Sequence, residues 1–492
     1  MSYLSGSSAT AFAVTLSAFL VGIASGSRQV GEYCETLPRA ETVRRLVNGL
    51  LKASLLGALF LPLLNHLSWL DRGVAGVALV IVYLVARFWG SLLPCLAEVS
   101  IACDEQAGMR TATLYLANIL GSAAGSVITG FVLMNYVGLV AIGTVLALAG
   151  VACTILLIVT LDIPLPEKRR SAAFAATLGI AAVIGTPALS ARVLESLQKG
   201  GPLAGHFTDV VQNRSGIITV TDQDIVFGNG MYDGRFNTAL THDSNGIVRP
   251  YALSLFHPAP RDVLMIGLAT GSWAQVLANN PDVASLTVIE INPGYLSLIA
   301  HAPEVASVLN NPKVTIVTDD GRRWLRANPN RHFDAIVSNT TWHFRASVTN
   351  LLSVEFLDLV RRHLNPGGIF LYNTTESDRV QRTACLTFPY GARFTNHMVV
   401  SDRPIAWDFQ RWRRILASYR IDGQPVLEPA RDQDRALLNQ FMSWQGSLAP
   451  SNGRVIDRPI EPCPDVLART AGKLAVTDDN MGSEWRHFLH LE

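Results

Sequence analysis

The sequence predicts an α-helical transmembrane bundle followed by a doubly wound α/β domain, entered through an N-terminal β-hairpin lid. Three observations carry that expectation. Long apolar runs separated by short polar loops fill the chain up to about residue 195. From residue 262 onward, short continuous apolar runs alternate with helical stretches, the pattern of a buried parallel sheet. The polar residues of this second part gather where those runs end, which is where open α/β sheets bind their ligands.

Composition agrees with this division. Charged residues make up 16% of the 492, against about 25% in ordinary globular proteins, and mean hydropathy is +0.27. The shortfall lies almost wholly before residue 195. A net charge of +1 gives no bulk attraction for nucleic acid. The six cysteines (Cys34, Cys95, Cys103, Cys153, Cys385 and Cys463) show no C-x-x-C pair and no metal-ligand spacing. Neither a disulfide framework nor a metal site is expected from them.

Crossing the hydrocarbon core takes about 20 mainly apolar residues. Five runs suffice: 8–26, 47–70, 74–96, 111–135 and 138–161. A sixth, 172–191, is rich in Ala and Gly, contains Pro187 and is marginal. The first run has no charged leader and precedes further spans, so it reads as a span and not as a cleaved signal peptide. Arg28, Arg39, Arg44 and Arg45 lie in the 27–46 loop, Arg110 in the 97–110 loop, and Lys168, Arg169 and Arg170 in the 162–171 loop. The intervening loops offer only Arg72. The charge bias places the basic loops in the cytoplasm and the N-terminus outside, in an integral multi-pass protein of the inner (plasma) membrane. Gly121 and Gly125 form a G-x-x-x-G on one helix face, with Gly130 one turn further on, and such small residues let helices approach closely. Arg87, near the end of a span, either serves a function or snorkels to the interface.

The chain divides into a transmembrane domain at 1–195, a linker and β-hairpin lid at 196–236, an α/β domain at 237–405 and a helical extension at 406–492. Asn229-Gly230, between "DIVF" and "MYDG", is a hairpin turn signal. The apolar strands are "DVLMIG", "SLTVIEI", "VTIVTDD", "FDAIVSN" and "IFLYNTT". "SWAQVLAN" and "EFLDLVRRHL" are helices between them, the second stopped by Asn365-Pro366-Gly367-Gly368. In the extension, "WDFQRWRRIL" is an amphipathic helix suited either to the membrane surface or to ordinary capping of the domain.

The ends of three successive strands compose a ligand site. Gly267, Thr270 and Gly271 follow the first strand, and glycines there permit a tight turn close to a ligand. Glu290, 23 residues after Gly267, is placed to accept hydrogen bonds from ribose hydroxyls. Asp320-Gly321 can meet an adenine amino group. A dinucleotide site would need G-x-G-x-x-G, whereas Gly267, Ala269 and Ser272 stand at those positions. Adenosine without phosphates fits better.

The segments "VLMIGLATGSW", "VIEIN", "TDDGRRWL", "FDAIVSN" and "LNPGGIF" resemble the spermidine synthase family of polyamine aminopropyltransferases over about residues 213–375. The apolar half resembles the major-facilitator-like region of membrane-bound spermidine synthase-like proteins, in "SGSRQVGE" and "LYLANILGSAAGSVITGFVLMNYVG". The C-terminal "VTDDNMGSEW" is similar to a motif of the same group. The resemblance implies S-adenosylmethionine or its decarboxylated form as substrate, with Glu290 at the ribose and Asp320 at the adenine. It also implies departures on the amine side. Asn339 stands where the family has its catalytic aspartate and Trp342 where it has a second. Thr270 replaces the aspartate of the glycine loop, and Tyr232 the glutamine after the hairpin.

Asn339 can orient a group but takes no proton at neutral pH, so transfer to putrescine by the family's route is not expected. Tyr232, Asp233, Asn339 and His343 are the catalytic candidates, with Glu376, Asp478 and Asp479 as further carboxylates. The expected function is a membrane-bound, spermidine synthase-like transferase with an altered acceptor. Another reaction of the sulfonium (methyl transfer, or cleavage to methylthioadenosine) and a non-catalytic nucleoside sensor or transporter are the alternatives. The expected partners are a small nucleoside substrate, an amine and the lipid bilayer, with a homodimer left open and no nucleic acid. Because adenosylmethionine is made in the cytoplasm and 172–191 is marginal, the α/β domain is expected on the cytoplasmic side.

Overall fold

A computed structural model describes residues 2–4, 9–34, 38–71, 73–160, 164–198, 206–340, 343, 345, 348–448 and 458–480. Trp342, Arg72 and the end of the "VTDDNMGSEW" motif lie outside these residues. The chain forms two compact units, Met1–Phe207 with Val211–Ile217, and Thr208–Val210 with Ile218–Glu492.

Among the described residues of the first unit, six helices are long and apolar enough to cross a membrane. They are α1 (Ala9–Cys34), α2 (Arg39–His66), α3 (Gly73–Ser100), α4 (Ala107–Tyr136), α5 (Leu139–Thr160) and α6 (Leu165–Ser190). The run read as marginal is therefore a helix of 26 residues that continues through Pro187. Glycines set the tightest crossing. A Cβ on Gly22 would lie 2.6 Å from the Tyr83 carbonyl oxygen, and one on Gly90 2.2 Å from that of Ile23, so α1 and α3 approach backbone to backbone. Beside that crossing the Arg87 guanidinium donates to Gln29 Oε1 at 2.8 Å. Val47 and Leu51 of α2 pack with Val151 and Ile158 of α5 and with Ala175 and Leu178 of α6. The expected packing face of α4 is not used inside this unit. None of its residues from 107 to 127 is buried, and a Cβ on Gly121, Gly125 or Gly130 would meet nothing within 4 Å.

The single hairpin expected before the α/β domain is a four-stranded sheet, in the order β1 (Phe207–Asn213), β2 (Gly216–Thr221), β3 (Ile225–Gly228) and β4 (Met231–Arg235). Asn229 and Gly230, both at positive φ, turn β3 into β4 as the dipeptide predicts.

The main sheet begins with β5 (Asp262–Ile266), β6 (Ser285–Glu290), β7 (Val314–Thr318), β8 (Phe333–Ser338) and β9 (Leu364–Asn373). Their order is β7-β6-β5-β8-β9, with every neighbour parallel. Each interior strand is apolar on both faces because helices cover both. Among these helices are α7 (Ser272–Asn279), α8 (Gly294–His301), α9 (Gly321–Ala327) and α10 (Val354–Arg362). Then the sheet departs from the all-parallel expectation. The chain passes through α11 (Asp378–Thr387) and turns at Thr395, φ +54°, between β10 (Tyr390–Phe394) and β11 (His397–Ser401). β11 lies antiparallel to β9, and β10 antiparallel to β11. A last short strand, β12 (Ile460–Pro462), joins β10 from the stretch read as a helical extension. One core of Leu264, Ile266, Phe356, Phe370, Met398 and Val400 runs through both parts of the sheet.

Two further expectations are settled here. The amphipathic helix is α12 (Phe409–Ser418), capped by Asp408, and its Phe409, Trp412 and Leu416 are buried. Trp412 is fully buried against Phe441 and Trp444, so this helix caps the domain from inside its core. The expectation that the cysteines form no disulfide is corrected. After α13 (Asp432–Ser443) comes α14 (Cys463–Arg469), and Cys385, near the end of α11, is bonded to Cys463, the first residue of α14. Seventy-eight residues separate the two thiols, too far for a spacing motif to signal the bond.

Candidate functional site

The ends of β5, β6 and β7 bring the glycine loop, Glu290 and Asp320 to one edge of the sheet. The Gly267 N–H donates to Ile289 O at 2.9 Å, and the Asp319 N–H to Glu290 O at 3.1 Å. The chain then leaves β5 through three positive-φ residues, Gly267 (+87°), Ala269 (+47°) and Gly271 (+76°). A Cβ on Gly271, itself at positive φ, would press on Ile299 at 3.0 Å, and one on Gly321 would meet Ile266 at 2.6 Å, so conformation favours glycine at the first place and contact at the second.

Glu290 is 4% exposed and its carboxylate organises the loop. Oε2 accepts from Leu268 N–H at 2.6 Å and from Ala269 N–H at 3.4 Å, and Oε1 accepts from Asn292 N–H at 2.7 Å. Burial raises its pKa, and these three N–H donors act in the opposite direction. A carboxylate offers about four acceptor positions, so one remains for a ligand hydroxyl. Asp320 caps α9 by accepting from Arg323 N–H at 2.8 Å and stays partly exposed. Thr270 is buried, and its hydroxyl donates to Ser272 Oγ at 3.0 Å, which donates to Arg235 O at 2.8 Å. The glycine loop is thereby tied to β4.

Of the catalytic candidates, Asp233 lies in a buried ion-paired cluster. Asp233 is 7% exposed, and both of its oxygens are engaged. The Arg345 guanidinium pairs with Oδ1 and also donates to Oδ2 at 3.3 Å and to Gly228 O at 2.9 Å. The Tyr295 hydroxyl donates to Oδ2. Burial lowers the pKa of Arg345, but Asp233 and Tyr295 outweigh it and leave the guanidinium raised. Burial, then Asp233, pushes Tyr295 well above its ordinary value. Nothing in the sequence signalled this cluster, since 112 residues part Asp233 from Arg345. Burial likewise raises Tyr232, which therefore stays protonated at neutral pH. Asn339 follows β8, and its carbonyl oxygen lies 3.4 Å from where a Gly267 Cβ would be, beside the glycine loop. His343 is half-buried.

Two further carboxylates lie elsewhere. Glu376 is exposed at positive φ. Asp478 accepts from Arg322 Nη1 at 2.8 Å and from Ser353 Oγ at 2.6 Å, so it staples the C-terminal motif to α9 and to the cap of α10. The buried Arg322, in the second position of α9, is the residue that pairs with that motif. No cluster of metal-ligating side chains occurs among the described residues.

Residues 252–385 match the spermine/spermidine synthase domain. Polyamine aminopropyltransferase 2 of Streptomyces coelicolor is 27% identical over 297 residues, covering 57% of this chain and 51% of the relative. The polyamine aminopropyltransferase of Corynebacterium efficiens is 27% identical over 357 residues, covering 68% and 64%. That of Streptococcus uberis is 31% identical over 152 residues, covering 29% and 53%. The chain thus spans between half and two thirds of the length of these relatives. Among solved structures, spermidine synthase from Thermotoga maritima aligns over 40% of this chain and 73% of that one, at 16% identity and a TM-score of 0.33. The C-terminal region of the chain carries a spermidine synthase domain, homologous to the polyamine aminopropyltransferases and preceded in the sequence by six long apolar helices.

Proposed function

We propose that the chain is a multi-pass membrane enzyme that binds S-adenosylmethionine or its decarboxylated form and transfers the alkyl arm to an acceptor other than a cationic diamine. The observation that carries this is the contrast between Glu290 and Asp233. Glu290 is a buried carboxylate with one acceptor position left, at the mouth of a glycine loop and beside Asp320, as a ribose and an adenine require. Asp233 is a buried carboxylate whose charge is already met by Arg345, so it is not free to attract a second cation. Six long apolar helices support the membrane reading.

The roles follow from the chemistry. Gly267, Thr270 and Gly271 let the loop approach the nucleoside, with Glu290 on the ribose and Asp320-Gly321 at the adenine edge. β4 covers the loop as a lid: Gly234 comes within 3.3 Å of the Thr270 methyl when a Cβ is placed on it. At the sulfonium, an acceptor's lone pair forms a bond to the arm's carbon. The carbon–sulfur bond breaks, its electrons pass to sulfur, and neutral methylthioadenosine leaves. The acceptor's proton must go elsewhere, and neither Asn339 nor the protonated Tyr232 takes it. His343 is the remaining candidate.

The sealed Asp233 also favours a second reading, cleavage without an acceptor. The carboxylate of adenosylmethionine is already ionised, and its attack on its own γ-carbon releases methylthioadenosine and a lactone with no base needed.

Product analysis tests both. Full-length protein in detergent is incubated with each sulfonium, with and without polyamines and simple amines. Methylthioadenosine that depends on a simple amine supports transfer, dependence on a polyamine would overturn the altered acceptor, and amine-independent release from adenosylmethionine supports cleavage. S-adenosylhomocysteine would show methyl transfer instead, and unchanged ligand that nonetheless binds would overturn the enzyme reading.

A further inference from the structure

We infer that the chain beyond α6 works on the extracytoplasmic, oxidising side of the membrane, and that the nucleoside site is filled from there. The inference rests on the reading of the six apolar helices as membrane spans. Two independent observations carry it.

The first is the path of the chain. Arg28, Arg39, Arg44, Arg45, Arg110, Lys168, Arg169 and Arg170 all flank the first, third and fifth connections between spans, and only Arg72 flanks the second and fourth. That bias holds the N-terminal end of α6 in the cytoplasm. α6 is a 26-residue helix, and at about 1.5 Å per residue it reaches ~39 Å, past the ~30 Å of a hydrocarbon core. Its Pro187 does not end it. The cytoplasmic expectation rested on ligand supply together with a marginal sixth span, and an unbroken helix of this length removes the second of those grounds. The chain emerges at Ser190 on the opposite side.

The second is the bond between Cys385 and Cys463. Both residues are 8% exposed and sit within the core of the second unit. The bond joins α11 to α14, elements also tied by Arg469, which pairs with Asp378 of α11 and with Glu461 of β12. A pair so enclosed is a structural disulfide and not an exposed redox couple, and such bonds persist where the surroundings are oxidising and are rare in the cytosol. Cys103 and Cys153, in the first unit, form no disulfide. The only bond among the described residues is therefore in the unit that the charge rule sends outside.

The consequence is chemical. A sulfonium nucleoside made in the cytoplasm must cross the membrane to reach Glu290, and an acceptor or cleavage product belongs to the outer compartment.

The test uses the full chain in right-side-out and inverted membrane vesicles. Glu304, exposed in the second unit, is changed in E304C, with Cys34, Cys95, Cys103 and Cys153 made serine. A membrane-impermeant maleimide is expected to label E304C in right-side-out vesicles and not in inverted ones. In the otherwise unaltered chain, acid-trapped from growing cells and denatured, Cys385 and Cys463 are expected to take a gel-shifting maleimide only after reduction; this second measurement does not depend on the variant folding. Labelling confined to inverted vesicles, or Cys385 and Cys463 reactive without reductant, would overturn the inference while leaving the membrane reading in place. Release of the chain by alkaline carbonate would overturn the membrane reading itself, and this inference with it.

Discussion

Glu290 and Asp233 are both carboxylates buried within the same domain, and their surroundings give them opposite fates. Glu290 faces only backbone N–H groups, from Leu268, Ala269 and Asn292, and keeps acceptor capacity for a ligand. Glu290→Gln swaps one oxygen for an N–H₂ that must face a donor. Binding of methylthioadenosine should weaken by about 1.5–3 kcal/mol, the worth of a charge-assisted hydrogen bond, as read by calorimetry. An unchanged affinity would remove Glu290 from the ribose site. Asp233 is held by Arg345 and Tyr295. Arg345→Ala leaves its charge buried and unpaired, so the second unit should lose about 3–5 kcal/mol of stability. The double variant Arg345→Met with Asp233→Asn should recover most of that loss in denaturant unfolding, because both charges go together. Were Asp233 a catalytic base, the double variant would instead be stable and inactive with every acceptor.

At the scale of the element, what could be read in the sequence depended on how each strand is buried. β5, β6, β8 and most of β9 are covered on both faces and so spell unbroken apolar runs that announce themselves. β10 and β11 carry Arg393 and His397 into the interior, where Glu461 and Asn396 meet them, and this polar content hides the strands. β12 has three residues and no periodicity to detect. The glycine loop, Glu290 and Asp320 were legible because they follow legible strands; Arg345 and the disulfide were not, since only the fold brings their partners close. His397 of β11 shows what the hidden part costs. It is fully buried, stacked on Trp273 and 3.2 Å from Arg249 Nη1. Burial first, then Arg249, lowers its pKa well below the ordinary value. The unfolded chain therefore takes up a proton near pH ~6.5 that the folded chain refuses, and stability falls as pH drops below that point. His257 is lowered by burial too and adds to the same window. His397→Asn should flatten the slope of unfolding free energy between pH 6.5 and 5 by up to about 1.4 kcal/mol per pH unit, measured by denaturant titration at each pH.

At the scale of the whole molecule, two interiors of different kinds are strung on one chain. The first unit packs helices through close glycine crossings and small clusters such as Val47, Leu51 and Val151, with much apolar surface left exposed on its helices. The second has a continuous core running from Leu264 in the parallel part to Met398 and Cys463 in the antiparallel part. Every residue placed at the nucleoside site belongs to that second unit: Gly267, Thr270, Gly271, Glu290, Asp320 and Gly321. So do the residues that hold the site in shape, among them Ser272, Arg322 and Asp478. A core of this continuity stabilises a domain without help from outside it. A fragment of residues 206–492, made under oxidising conditions, should therefore fold cooperatively and bind methylthioadenosine within about threefold of the full chain, a difference under about 0.7 kcal/mol. Thermal unfolding and calorimetry on both proteins measure this. A fragment that folds but binds much more weakly would mean that the helical unit completes the site, and the nucleoside pocket would then have to be sought with both units present.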